Sequence, residues 1–177
     1  MAELPRGPAR MRVWVEAARG GDREAFAALY EEMAPVVHGL LLSRVRTFDV
    51  SDLVQEVFAV ALQRLPALQD SSAFAGWLCA IARNTATDHL RKQPPPVPSP
   101  RTPYALASHV ADARRVLEAI RTLPEAYREP LVLRLVEGLT GPEIAAKTGL
   151  TPGSVRVNLS RGMKRLRETL GVMTDAR

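Results

Sequence analysis

The sequence has few of the residues on which catalytic and metal sites are usually built. It contains one cysteine and three histidines in 177 residues, and a single thiol forms neither an intramolecular disulfide nor a cysteine metal site. His38, His89 and His109 are isolated, there is no glycine-rich phosphate loop, and no nucleophile can be placed beside a base. We therefore expect no enzyme, no catalytic residue, no metal and no cofactor, and Cys79 is expected to be a small buried side chain.

Long apolar runs are also lacking. Apolar residues recur at helical spacing instead of in runs of eighteen or more, and the first residues, MAELPRGPARMR, contain no apolar secretory segment. We therefore expect no membrane insertion and a cytoplasmic protein.

The net charge of +5 is spread unevenly along the chain. Residues 1–70 carry eight Lys and Arg against ten Asp and Glu, whereas residues 113–177 carry twelve against seven. A basic C-terminal half suits nucleic acid, and an acidic N-terminal half favours a protein partner there.

Apolar residues follow the helical period throughout, and no segment alternates with period two, so the fold is predicted to be all-α. Helices are expected at residues 10–19, 23–44, 51–64, 72–92, 110–121 and 124–137, followed by a helix-turn-helix pair. Asp22, Ser51 and one of Ser71 and Ser72 precede three of these segments and are predicted to cap them.

Six prolines between Lys92 and His109 exclude a helix or central strand from that stretch. The chain is therefore predicted to form two small helical domains, residues 1–92 and 109–177, joined by a Pro-rich linker, residues 93–108. Polyproline II conformation would hold the two domains apart. A linker without a spacing role is equally compatible with this composition.

The stretch from Gly138 to Arg167 has the features of a helix-turn-helix. Thr140 and Glu143 can form a capping box, Gly149 can take a positive φ in the turn, and Thr151 precedes a second helix. An apolar stripe follows that helix: Val155, Leu159, Met163, Leu166 and Leu170. The opposite face is polar and basic, with Ser154, Arg156, Asn158, Ser160, Arg161, Lys164 and Arg165. Such a face suits the major groove of DNA, although an ordinary helical hairpin can also carry a solvated basic face.

Several segments in order resemble bacterial RNA polymerase sigma factors, specifically the extracytoplasmic-function group (group 4). The most specific are DLVQEVF and the pattern W-L-x-x-I-A-R-N-x-x-x-D-x-L-R of residues 77–91. The resemblance covers nearly the whole chain: residues 22–41 resemble region 2.1, 51–65 region 2.2, 74–93 regions 2.3 and 2.4, and 123–167 region 4. It implies an alternative sigma factor that binds core RNA polymerase, recognises minus-10 and minus-35 promoter elements and promotes transcription initiation. The implied partners are polymerase, through its β′ clamp helices and β flap, promoter DNA and an anti-sigma factor.

On the two helices predicted at residues 51–64 and 72–92, helical spacing separates an inward face from an outward face. In SDLVQEVF, Asp52, Gln55 and Glu56 lie on an outward polar face, which by resemblance contacts the β′ clamp helices. In the helix of residues 72–92, the resemblance assigns minus-10 DNA to Asn84 and Asp88, with the preceding loop of residues 66–72 holding a flipped base. Three further minus-10 candidates follow from side-chain chemistry: Arg83 and Arg91 for phosphates, and Trp77 for base stacking, although a large aromatic side chain on a helix is more often part of the core.

Region 4 of the resemblance supplies the minus-35 candidates, which are Arg156, Val157, Asn158, Ser160, Arg161 and Lys164. The chain departs from the family pattern at Val157 and Asn158, where Ser and Arg are usual, and at Gly162, where Ala is usual. Asn in place of Arg removes one possible phosphate contact, so the family's usual minus-35 sequence is not carried over. The alternative function is a two-domain DNA-binding regulator that never joins polymerase, and such a regulator has no need of the acidic face around Asp52.

Overall fold

The computed structural model describes residues 8–92 and 108–171. Within these ranges the chain forms eight α-helices and three short 3-10 turns, with no strand. The helices are α1 (Pro8–Arg19), α2 (Arg23–Leu42), α3 (Val50–Arg64), α4 (Phe74–Lys92), α5 (Ser108–Thr122), α6 (Glu125–Leu135), α7 (Gly141–Thr148) and α8 (Pro152–Leu170). The all-α prediction is confirmed, and both ends of each of the six helices predicted before the helix-turn-helix lie within two residues of the observed ones. The predicted linker lies outside the described residues, apart from its last residue.

The predicted caps are correct at α2 and wrong at α3 and α4. The Asp22 carboxylate accepts hydrogen bonds from the backbone N–H groups of Glu24 and Ala25. Ser51, in contrast, lies inside the first turn of α3, because the 3-10 turn Thr47–Asp49 runs directly into that helix. Ahead of α4, Asp70 caps the 3-10 turn Ser71–Ala73, so that both serines lie within the turn that they were expected to begin.

Helices α1 to α4 form an N-terminal bundle around α2, which contacts the other three. In its second half, every residue of the run VVHGLLL except His38 is buried, as expected for a helix with almost no polar stripe. Phe74 and Leu78 of α4 and Val57 and Ala61 of α3 close this core with no exposed surface. The inward residues predicted for α4 are all buried, which confirms that helix's orientation: Phe74, Leu78, Ile81 and Ala82.

Helices α5 to α8 form a C-terminal bundle in which α6 and α8 cross closely. Gly162 of α8 is buried at the crossing, where a Cβ atom would lie 3.0 Å from Leu131 Cδ1 and 3.1 Å from Tyr127 Cβ. Glycine at this position therefore permits a close approach of the two helices.

The two bundles pack against each other, so the expectation that a stiff linker holds them apart is wrong. Helix α2 contacts α6 and α7, and α4 contacts α7. Leu133 of α6 is fully buried against α2 at Gly39, where a Cβ atom would lie only 2.6 Å from Leu133 Cδ2. Linker composition sets the reach between two domains but supplies no force that opposes contact, and the domain surfaces decide the outcome.

Helix α2 is long and apolar enough to cross a membrane by length and composition alone. Half of its most apolar window is buried inside the protein, in contact with helices of both bundles. Its apolar character is therefore explained by its position in the core.

Gly162→Ala should destabilise the C-terminal bundle. Alanine gains about 1 kcal/mol of helix propensity over glycine, but inserting a methyl group into a tight crossing costs about 1–3 kcal/mol. Thermal unfolding followed by circular dichroism should show a lower melting temperature. Gly153→Ala is the matched control in the same helix, because its nearest neighbour, Thr151 Oγ1, would be 4.0 Å away. An equal rise in melting temperature for both variants would show that the crossing has room.

Candidate nucleic-acid and protein interfaces

The helix-turn-helix is formed by α7 and α8 as predicted. The Thr140 hydroxyl and the Glu143 side chain make the reciprocal bonds of a capping box, and the carboxylate accepts from the Thr140 N–H at 2.7 Å. These hydrogen bonds lower the pKa of Glu143. Gly149 has φ 76° in the turn, and Thr151 caps α8 by accepting from the Ser154 N–H. The positive end of α8 is thus left exposed beside its first polar residues.

One face of α8 is exposed and basic. Val155 and Leu166 are buried, whereas the predicted DNA-contacting residues Arg156, Val157, Ser160, Arg161 and Lys164 are exposed. These five positions span an arc of about 140° at 100° per residue. The structure thus brings them together on one face of a capped helix.

Asn158 does not lie on that face. It is half-buried and falls about 60° beyond the edge of the arc. The amide side chain of Asn158 therefore lies on the flank of the helix.

Helix α4 presents a second polar face. Asn84, Asp88 and Arg91 are exposed along one side, and the Asp88 carboxylate accepts from Arg91 at 2.7 Å. Trp77 lies two turns earlier on the same side and is half-buried, with its ring centroid 5.9 Å from that of Phe74. One edge of the indole is thus held by the core, and the remaining surface lies in line with Asn84.

Arg83 is separated from this face. Its guanidinium donates two hydrogen bonds to the Glu129 carboxylate of α6, at 3.0 Å from Nε and 2.7 Å from the terminal nitrogen. Glu129 is buried, and this pairing raises the pKa of Arg83. The sequence could not indicate this pairing, because the partner is 46 residues away in the other bundle.

The third surface is the outward side of α3. Asp52, Gln55 and Glu56 are all exposed, while Leu53 and Val57 point into the core. The Gln55 side chain donates to the Tyr30 hydroxyl at 3.2 Å, which links α3 to α2. The predicted acidic face is therefore present as one continuous strip.

Two exposed apolar residues flank that strip, and sequence reasoning missed both. Phe48 is 73% exposed in the turn before α3, and Leu62 is 52% exposed one and a half turns beyond Glu56. Phe48 lies four residues before Asp52, and Leu62 lies seven residues after Gln55. This helical spacing is the signal in the sequence that could have placed both on the same side as the strip. Large exposed apolar side chains beside a charged strip are typical of protein-binding surfaces.

Two titratable groups, Cys79 and His38, form hydrogen bonds across the contact between the two bundles. The Cys79 thiol is buried and donates to the Lys147 carbonyl at 3.3 Å, and its burial raises its pKa to about 12. The prediction that it is a small buried side chain is confirmed. His38 is half-exposed, and its Nδ1 lies 2.6 Å from Glu137 Oε1; this hydrogen bond raises the pKa of His38.

No group of three or more His, Cys, Asp or Glu side chains in the described ranges could hold a metal ion.

Comparison with known proteins identifies both bundles. Residues 29–94 match the family model of sigma-70 region 2, and residues 113–166 match that of sigma-70 region 4. The chain is 34% identical to the RNA polymerase sigma factor CarQ of Myxococcus xanthus, over 89% of this chain and 95% of that protein. It is 32% identical to the ECF RNA polymerase sigma-E factor of Haemophilus influenzae, over 83% of this chain and 88% of the relative.

The fold is similar to that of CnrH, solved in complex with the cytosolic domain of CnrY. The TM-score is 0.65 at 24% identity, with 94% of this chain and 99% of CnrH covered. The factor RpoE of Bartonella quintana, solved with the anti-sigma factor NepR, has a TM-score of 0.54 at 22% identity, with 84% and 99% covered.

The contact between His38 and Glu137 should weaken as the pH rises. Because the folded pKa of His38 is raised above its ordinary 6.5, the stability from this pair is fully present below about pH 6.5 and is lost as the pH passes the raised value. An NMR titration of the His38 ring should give a midpoint above 6.5 that returns toward 6.5 in Glu137→Gln. An unchanged His38 midpoint in the variant would contradict the assignment.

Proposed function

The chain belongs to the sigma-70 family of RNA polymerase sigma factors, in the extracytoplasmic-function group, and we propose that its three exposed surfaces divide the work of initiation. As an alternative sigma factor it binds core RNA polymerase, recognises the minus-10 and minus-35 promoter elements and promotes transcription initiation. In this proposal region 2 comprises residues 1–92 and region 4 residues 109–177. Its place of action is the cytoplasm, where polymerase and promoter DNA meet.

The exposed strip on α3 is the polymerase-binding surface. Asp52, Gln55 and Glu56 contact the β′ clamp helices, and Phe48 and Leu62 supply apolar area at the two ends of the strip. This proposal is supported by one observation above all: the acidic residues lie exposed in one strip on a helix whose opposite face is buried in the core. A regulator that acts on DNA alone has no need of such an exposed acidic strip. Region 4 contacts the β flap, as in the family.

The exposed face of α4 binds the minus-10 element. Asn84 and Asp88 offer an amide and a carboxylate that can pair with base edges, Arg91 can pair with a phosphate, and Trp77 can stack on a base. Residues 66–72, which precede α4, hold the extruded base. Extrusion of a base costs about a few kcal/mol, and stacking and hydrogen bonds to the extruded base must offset this cost.

The basic face of α8 binds the minus-35 element. Arg156 lies near the positive N-terminal end of the helix, the end that enters the major groove in helix-turn-helix proteins, while Arg161 and Lys164 lie farther along. We place base reading at Arg156, with Val157 and Ser160 beside it, and phosphate anchoring at Arg161 and Lys164. Asn158, half-buried on the flank, is a supporting contact at most. An anti-sigma factor is a further proposed partner, since such a complex is named for a protein of this fold.

Reversing the charge of the α3 strip should abolish polymerase binding. In Asp52→Lys/Glu56→Lys, a surface that accepts acidic side chains would meet like charge. Both residues are exposed, so the free energy of unfolding should change by less than about 0.5 kcal/mol per site. The measurements are helicity, pull-down of core polymerase and promoter-specific transcript.

Glu24→Lys/Glu31→Lys is the matched control, because it reverses two exposed charges on α2, away from the strip. The control should retain polymerase binding. Tight promoter recognition by the protein alone, unaffected by the α3 reversal, would identify a free-standing DNA-binding regulator instead.

Two arginine substitutions on α8 should have different consequences. Arg156→Ala should cost about 1–3 kcal/mol and relax the preference at one promoter position, because a bidentate contact to a guanine edge is lost. Arg161→Ala should weaken binding to all sequences and lower the salt slope by about one. Polymerase-dependent binding to a set of minus-35 variants at several salt concentrations measures both effects. A uniform loss across all variants for Arg156→Ala would remove its base-reading role.

A further inference from the structure

Helix α1 has no part in the three proposed binding surfaces. It lies before residue 29, where the match to the family model of region 2 begins. In the structure α1 packs against the two 3-10 turns at the ends of the loop of residues 66–72, which are Leu65–Ala67 and Ser71–Ala73. The helix therefore lies beside the loop that we propose to hold the extruded base.

The orientation of α1 is fixed by its buried side. Val15 and Ala18 are buried in the core of the N-terminal bundle. Arg10 donates to the Glu32 carboxylate of α2 at 3.4 Å, which fixes the start of the helix. Arg12 precedes Val15 by three residues and so lies about 60° from it around the helix axis. The exposed Arg12 side chain is therefore at the border between the buried and the exposed side of α1.

Arg12 is close to the carboxylate within the loop. Asp70 accepts hydrogen bonds from the Ser72 N–H at 2.8 Å and from the Ser72 hydroxyl at 2.6 Å. These two hydrogen bonds, and to a smaller extent the positive charge of Arg12, lower the pKa of Asp70. The Asp70 carboxylate is thus ionised and held as the cap of the turn, with the Arg12 guanidinium on the same side of α1 as the loop.

The other two arginines of α1 are engaged in ion pairs, whereas Arg12 is not. Arg10 pairs with Glu32. Arg19 pairs with Glu16 at 3.0 Å, which engages the carboxylate that lies one turn after Arg12. Among the residues that the structure describes, Arg12 forms no ion pair, so its guanidinium is available to an anion from outside.

A nucleotide held by the loop supplies such an anion. A base that enters the loop of residues 66–72 brings the phosphates on either side of it to the edge of the loop. The Asp70 carboxylate repels a phosphate there, and a cation that borders the loop offsets this repulsion. An arginine is well suited to this position, because its planar guanidinium can hold a phosphate through two parallel N–H groups.

We propose that Arg12 binds a phosphate next to the extruded base, so that α1 and the loop of residues 66–72 form one binding site for single-stranded promoter DNA. The inference rests on the proposed function and adds to it a contact from a helix that lies before the family match. Arg12 holds the sugar–phosphate backbone while the loop holds the base, and the two contacts together orient the nucleotide. Arg12 itself reads no base, since a phosphate contact carries no sequence information.

The test uses the full chain bound to core polymerase and a promoter fragment whose minus-10 element is unpaired. Arg12→Ala should weaken binding of this fragment about tenfold, as expected for loss of one charge-assisted contact. It should also lower the salt slope by about 0.7, the value for one phosphate of a single strand. Fluorescence anisotropy at several salt concentrations measures both quantities. Unchanged affinity and slope in a variant of unchanged helicity would overturn the proposal.

Arg19→Ala is the matched control. It removes an arginine from the same helix, about 10 Å along the axis from Arg12, and that arginine is already paired with Glu16. The control should retain the affinity of the parent protein. An equal loss in both variants would show a general effect of positive charge and would contradict a specific contact at Arg12.

Neutral methylphosphonates, placed one at a time along the unpaired strand, locate the contact without a change in the protein. In the parent protein, one substitution beside the extruded base should weaken binding about as much as Arg12→Ala does. On that strand Arg12→Ala should cause no further loss, whereas additive losses at every position would overturn the assignment. Weaker binding of Arg12→Ala to core polymerase without DNA would assign Arg12 to a polymerase contact and would also overturn it.

The failure of this inference can be distinguished from failure of the proposed function. A parent protein that does not bind core polymerase or make promoter-specific transcript would contradict the proposed function. A transcribing parent protein whose Arg12→Ala variant binds the unpaired fragment equally well would contradict the Arg12 contact alone.

Discussion

The burial of the second half of α2 between two bundles is the contact on which the rest of the structure depends. Leu40 and Leu41 are fully buried, and Gly39 leaves the space into which Leu133 of α6 packs. Each fully buried aliphatic side chain contributes roughly 1.5–3 kcal/mol, so this helix organises region 2 and also forms the apolar part of its contact with region 4. Its apolar composition therefore reflects a position inside the protein.

Charged pairs surround this apolar contact and give the domain interface a different character from the cores on either side. Within region 2, side chains such as Phe74 and Leu78 are buried among apolar neighbours, and their separation would be costly. Between the regions, the Lys147 and Glu32 side chains pair with each other and stay partly exposed. The interface thus joins an apolar contact around Gly39 and Leu133 to ion pairs that border it.

The three proposed binding surfaces share one design. Each is the exposed side of a helix whose other side is buried: α3 for polymerase, and α4 and α8 for DNA. A helix whose apolar face is packed in a core holds the polar side chains of its other face in fixed positions, which suits specific contacts with another molecule. The capping box at Thr140 and the cap at Thr151 fix the start of α7 and α8, and so fix where Arg156 lies relative to the helix end.

The sequence by itself determined the helices and their faces, because these depend on neighbours three and four residues away. The helix predicted at residues 72–92, its inward residues Phe74 and Leu78, the capping box at Thr140 and the exposed Asp52 face all followed from that local spacing. The starts of α3 and α4 were not, because the 3-10 turns Thr47–Asp49 and Ser71–Ala73 lie directly ahead of these helices.

Only the tertiary structure decided how the two domains meet. The partners of Arg83 and His38 lie 46 and 99 residues away, and no local pattern relates such positions. The linker's composition suggested separation, but whether domains associate depends on complementary charges and shapes across the interface, which a Pro-rich segment neither supplies nor prevents. The same reason explains why Arg83 was predicted as a DNA contact although its guanidinium is held by Glu129.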